Sequence, residues 1–148
     1  MRRAVWRAVF PQPKHRDMTN SESRKLVAFA AVFPVADCAM SVGFYVDRLG
    51  FRVHFQMGDP VSYAIIERDA VSIHLMPVSQ DPTMGRSSIY AFASNVDALH
   101  DELRASGCTV EVPPTDFFYG MREMSVRDLD GNRITFGQEV RATDPAAV

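Results

Sequence analysis

The chain has 148 residues, 47% of them hydrophobic and 23% charged, with a formal charge of −2 at pH 7. That composition is typical of one soluble globular domain large enough to bury a core, and no apolar run approaches the roughly 18 residues of a membrane span. Residues 1–24 hold six basic and two acidic side chains, so the remainder carries about −6, a balance that argues against nucleic acid as a partner.

The opening stretch MRRAVWRAVFPQPKHR lacks the continuous apolar segment of a secretory signal, although its basic, acid-free character is faintly that of a transit peptide. The polar DMTNSESRK that follows reads as a disordered lead-in, and Met18 is an alternative initiator. Residues 1–24 are therefore set outside the fold, with one domain expected over 25–140 and a tail over 141–148. Cys38 and Cys108 match no metal or redox spacing, and both are expected to be reduced in a cytoplasmic protein.

From Lys25 the pattern becomes regular. LVAFAAVFPV reads as a strand, with Phe29, Ala31, Phe33 and Val35 on one face. Asp37 is placed to cap a helix over CAMSVGFYVDRLG, in which Ser41, Phe44, Tyr45 and Leu49 recur at helical spacing and Gly50 supplies the stop. FRVHFQM, SYAIIE and the segment AVSIHLMPV are three further short strands. After the punctuating connector SQDPTMGRS the programme starts again. SIYAFA is a strand, Ser94 or Asn95 a cap, VDALHDELRAS a helix, and Gly107 its stop. CTVEV is then a strand, PPTDFFYG a loop, MREMSVRD a strand, DLDGN a turn of the Asp-Gly type, and RITFGQE the last strand.

The two halves align at an offset of 58 to 61 positions, bringing Asp37 onto Asn95 and Gly50 onto Gly107. This is a duplicated strand–helix–strand–strand–strand unit. One helix per four strands is too few to cover both faces of a sheet, so each uncovered face must meet a ligand, a partner chain or water.

FPVADCAMSVGFYVDRLGFRV together with GMREMSVRDLDGNRITFGQE resembles the vicinal oxygen chelate superfamily, which holds glyoxalase I, extradiol dioxygenases and the fosfomycin- and bleomycin-resistance proteins, and within it the bleomycin-resistance-like branch. The resemblance implies an α+β fold of two βαβββ modules, at about 27–78 and 88–139, whose curled mixed sheets cup a cleft. It also implies, for the enzymes, a divalent metal held by the first and last strands of each module. Those positions fall here on Ala30, His74, Ser88 and Thr135. An alanine and two neutral hydroxyls are poor donors for such an ion, so no metal or other cofactor and no catalytic residue is expected. A set improvised from His74, His54 and Glu123 has no spacing to recommend it; Glu67 and Glu123 read more simply as strand residues.

His74 raises a question of its own, because it interrupts an apolar strand. It is either a satisfied core residue or a contact in the cleft. Small residues at Ala28, Ala30 and Val32 leave room beside it, and the same parity on later strands brings Ser72, Met76, Ser88, Tyr90, Phe92 and Thr135 to the cleft side. Such a wall suits a flat organic ligand. The run Phe117, Phe118, Tyr119 follows Asp116 in a Pro-flanked loop, where at least one ring should face a ligand or a partner chain. The expected function is binding and sequestration of a planar or cationic small molecule in the clefts of a homodimer, with His74, Tyr90, Phe92, Phe118 and Tyr119 as contacts. The alternatives are a metal-dependent enzyme of the superfamily, and an interaction module whose cleft its own partner fills.

Overall fold

A computed structural model describes residues 29–80 and 85–140. The N-terminal extension, Lys25 to Ala28, part of the connector between the halves, and the tail over 141–148 lie outside the described residues, as does Trp6. Among the described residues, no helix is long and apolar enough to cross a membrane.

The first half runs β1 (Ala31–Val35), α1 (Cys38–Leu49), β2 (Arg52–Met57), β3 (Tyr63–Arg68) and β4 (Val71–Pro77), followed by one 3₁₀ turn (Val78–Gln80). The second runs β5 (Ser88–Phe92), α2 (Val96–Ala105), β6 (Val110–Phe117), β7 (Met121–Arg127) and β8 (Arg133–Glu139). Each half forms a mixed four-stranded sheet, in the orders β1-β4-β3-β2 and β5-β8-β7-β6. β1 runs parallel to β4, and β5 parallel to β8; the remaining pairs are antiparallel. This is the duplicated βαβββ unit that the sequence offset predicts.

The helix boundaries follow from local chemistry. Asp37 accepts from the Met40 N–H at 2.9 Å to start α1, and Gly50, at φ 70°, ends it in the left-handed region where a side chain would be strained. In the second half it is Asn95, rather than Ser94, that caps α2, accepting from Ala98 N–H at 2.9 Å. Along each sheet the alternate residues are buried on the helix side: Phe33, Val35, Ile73, Leu75, Ala64 and Ile66 in the first, Met124, Val126 and Ile134 in the second. These side chains join Tyr45, Leu49, Val96 and Leu103 of the helices in one core that runs through both halves.

Two features depart from the sequence reading. The first strand begins at Ala31, so Phe29, expected on its inward face, stands 90% exposed before it. PPTDF is strand rather than loop, because β6 continues through Phe117. The prolines lack an N–H to give the ladder, and the register with β7 shifts between Val112 and Thr115, where they lie. The DLDGN turn lies where the sequence places it. Arg127 pairs with Arg133, and the five residues between them are organised by Asp128, whose side chain accepts from the N–H groups of Asp130 and Asn132 at 2.9 Å.

That loop also joins the halves. Asp128 accepts the Tyr45 hydroxyl of α1 at 3.0 Å and Asn132 Nδ2 at 2.8 Å, while Asn132 donates to Pro34 O and accepts from Ser87 N–H. Asn132 is fully buried, so each of its bonds is made away from water. Burial, and then the Asp128 carboxylate, raise the Tyr45 pKa far above the ordinary tyrosine value.

Candidate functional site

Alternation fixes what the faces opposite the helices carry. On the first sheet, Val32, His74, Ile65 and Phe55 lie side by side in one rung, with Tyr63 on the next through its pairing to Met57. On the second, Tyr90, Thr135 and Ser125 form one rung and Phe92, Gly137 and Glu123 the next.

His74 is half-buried. Its Nδ1 lies 2.5 Å from the Tyr63 hydroxyl, and the two rings meet edge to face with centroids 5.7 Å apart. Nε2 is buried without a hydrogen-bond partner among the described residues. Burial lowers the imidazole pKa, since a charged ring there would lose hydration without gaining a counter-charge. The ring neighbours of His74 are thus Tyr63 and, one ring further, Phe55, not the other four expected contacts.

Those four gather on the second half. Phe92 stands 84% exposed and Tyr90 43%, their rings packed at 5.2 Å and 63°. The Tyr90 hydroxyl donates to Glu123 Oε1 at 2.9 Å, and burial, then the same carboxylate, raise the Tyr119 pKa above the ordinary tyrosine value. Partial burial of the hydroxyl, then its bond to that carboxylate, push Tyr90 up to about 12. Tyr119 stacks on Phe117 at 5.4 Å and meets Phe118 edge to face at 5.2 Å; Phe118 is fully exposed at the tip of the β6–β7 turn.

Gly137 makes this arrangement possible. A Cβ built there would fall 1.7 Å from the Tyr90 oxygen, so only a residue without a side chain lets the tyrosine lie across β8 and reach Glu123. Sequence reasoning passed over Gly137, and it treated Glu123 as an ordinary strand residue. Glu123 and Gly137 share the face of Phe92 only through the β5–β8 and β7–β8 registers, which a single sequence does not contain. Tyr63 was missed for the same reason.

The positions at which the fold's enzymes hold a divalent metal fail a test on donors. Ala30 offers a methyl group and Ser88 and Thr135 neutral hydroxyls. Among the described residues, no three His, Cys, Asp or Glu side chains are grouped to hold an ion. The donor set does not fit the group. The cysteines are equally unsuited to chemistry. Burial, with Asp37 beside it, pushes the buried Cys38 thiol up to about 11, and burial raises Cys108 as well.

Residues 27–136 match the family model described as Glyoxalase/Bleomycin resistance protein/Dioxygenase superfamily. A bleomycin resistance protein of Geobacillus stearothermophilus is 30% identical over 130 residues, covering 74% of this chain and 94% of the relative, and one of Staphylococcus aureus matches to the same extent. The chain belongs to the glyoxalase/bleomycin resistance protein/dioxygenase superfamily. Among solved structures, the bleomycin-binding protein of bleomycin-producing Streptomyces verticillus, complexed with copper(II)-bleomycin, superposes with a TM-score of 0.64. It is 24% identical and covers 76% of this chain and 96% of that one. Lactoylglutathione lyase of Agrobacterium tumefaciens superposes equally well, at 0.64 with 17% identity over 78% and 96% of the two chains. A binding protein and an enzyme thus share this superfamily scaffold, so the fold leaves the activity to the side chains on its faces.

Proposed function

We propose that this superfamily member binds and sequesters a planar, cationic small molecule of the bleomycin class, without a metal and without turning it over. The observation that carries the reading is the Glu123 carboxylate, hydrogen-bonded by Tyr90 beside the exposed Tyr90 and Phe92 rings. Aromatic faces attract a flat cation through their quadrupoles, and the carboxylate adds a full opposite charge at a fixed position. The resistance-protein relatives support the ligand class.

The exposed rings also favour the homodimer. Phe92, Phe118 and Tyr119 on one side and Met57 on the other are large apolar groups open to water, a feature of interaction surfaces. A second copy would roof the rings and complete two clefts, and His74 would contribute from the first sheet. Isothermal titration with bleomycin tests the reading. Wild-type protein should bind with a micromolar or tighter Kd, and Phe92→Ala and Glu123→Gln should each weaken binding about tenfold, roughly 1.4 kcal/mol. Wild-type affinity in both variants would remove this face from the site.

A further inference from the structure

We propose that the second sheet also has a subsite for an acidic group, so that it favours aromatic cations carrying one at the remote end, and that Arg133 and Arg127 receive that group. The inference rests on the reading just given and extends it from one end of the sheet to the other. Ser88, Arg133 and Arg127 form a rung on the same face as the Tyr90–Thr135–Ser125 rung, on its side away from Glu123. Glu123 and Arg127 are four residues apart on β7, so their backbones are separated by about 13 Å at the usual strand rise.

The two arginines share one carboxylate. Arg127 Nε donates to Glu111 Oε1 at 2.6 Å and Arg133 Nε to Glu111 Oε2 at 3.0 Å, while Ser125 Oγ donates to Oε2 at 3.3 Å. Arg127 Nη1 is taken by Gly131 O at 2.8 Å. Two guanidinium groups against one carboxylate leave a net charge of +1 on this rung. The terminal nitrogens of Arg133 and Nη2 of Arg127 have no partner among the described residues. Both arginine side chains are 40% exposed, and the Ser88 hydroxyl is in the same rung. Glu111 fixes each Nε, so the remaining N–H groups are held in a defined fork rather than swinging on long stems. A fork of that kind matches the paired oxygens of a carboxylate, or two oxygens of a phosphate or sulfate. The face thus reads as a strip with a carboxylate and aromatic rings at one end and a cationic fork at the other. A molecule with the opposite polarity at each end would lie along it.

The test uses matched probes, a 9-aminoacridine carrying a six-carbon chain that ends in a carboxylate, and its methyl ester, followed by fluorescence polarisation on the full chain. The acid is expected to bind at least tenfold more tightly than the ester, and Arg133→Gln and Arg127→Gln should each bring that ratio towards one. Equal binding of acid and ester to wild type, or a preference that survives in both variants, would overturn the proposal. If neither acridine binds, the aromatic cradle fails, and phenyl phosphate alone decides the arginine site. A saturable shift of the arginine Nε–H resonances in wild type, absent from Arg133→Gln, would uphold it, and no shift in wild type would overturn it.

Discussion

At Gly137 a single missing side chain sets the geometry of the face. Gly137→Ala would put its Cβ 1.7 Å from the Tyr90 oxygen, forcing the ring aside and parting it from Glu123. The backbone there has no need of a positive φ, so the effect should fall on binding more than on stability. The expected result is a spectrophotometric Tyr90 titration that moves down from about 12 towards the ordinary tyrosine range, with about a tenfold loss of ligand affinity. His74 makes a different prediction. Its pKa is lowered by burial, so the unfolded chain binds a proton more readily than the folded one as the pH falls below 6.5. The stability that the neutral ring contributes is full above that value and is lost as the pH drops through the lowered folded pKa. Substituting His74→Leu should flatten this acid limb in urea denaturation as the pH falls below about 6.5. An unchanged limb would mean that the ring is not desolvated. These two residues differ in how legible they were. The apolar run flanking His74 singles it out in the sequence, whereas Gly137 and Glu123 acquire meaning only from a cross-strand register that one sequence does not contain.

Among the elements, the β7–β8 loop ties the second half to α1 and β1. A turn that only reversed the chain would leave Asp128 no structural task. The observed loop instead turns its carboxylate inward, where it accepts from Tyr45, Asn132 and two backbone N–H groups. Asp128→Ala would leave these donors without their acceptor where α1 meets the second half, and should cost about 3 kcal/mol or more, read as a lowered denaturant midpoint. A loss under about 1 kcal/mol would show that the halves are held by apolar packing alone. The duplication, both helices and most strands were readable from spacing and caps, because alternation and helical periodicity are local properties. Three points were not local. Phe29 lies outside β1, β6 extends through two prolines, and the Asp128 loop is shaped by a tyrosine 83 positions away.

For the whole molecule, the duplicated sheets combine an apolar core continuous through both halves with opposite faces that carry charge, rings and hydroxyls. Sequence resemblance named the scaffold and the donors missing from its metal positions. It left the ligand open because the superfamily holds binding proteins and enzymes on the same strands. The central claim is that these faces bind their ligand by stacking and charge, with no ion at the metal positions. The decisive measurement is isothermal titration of EDTA-treated protein with metal-free bleomycin, repeated after adding zinc, nickel or manganese to the protein. The account predicts the same affinity and stoichiometry in every case, with no chemical change in the recovered ligand. Binding that appears only with a divalent ion, or a ligand recovered in altered form, would contradict it.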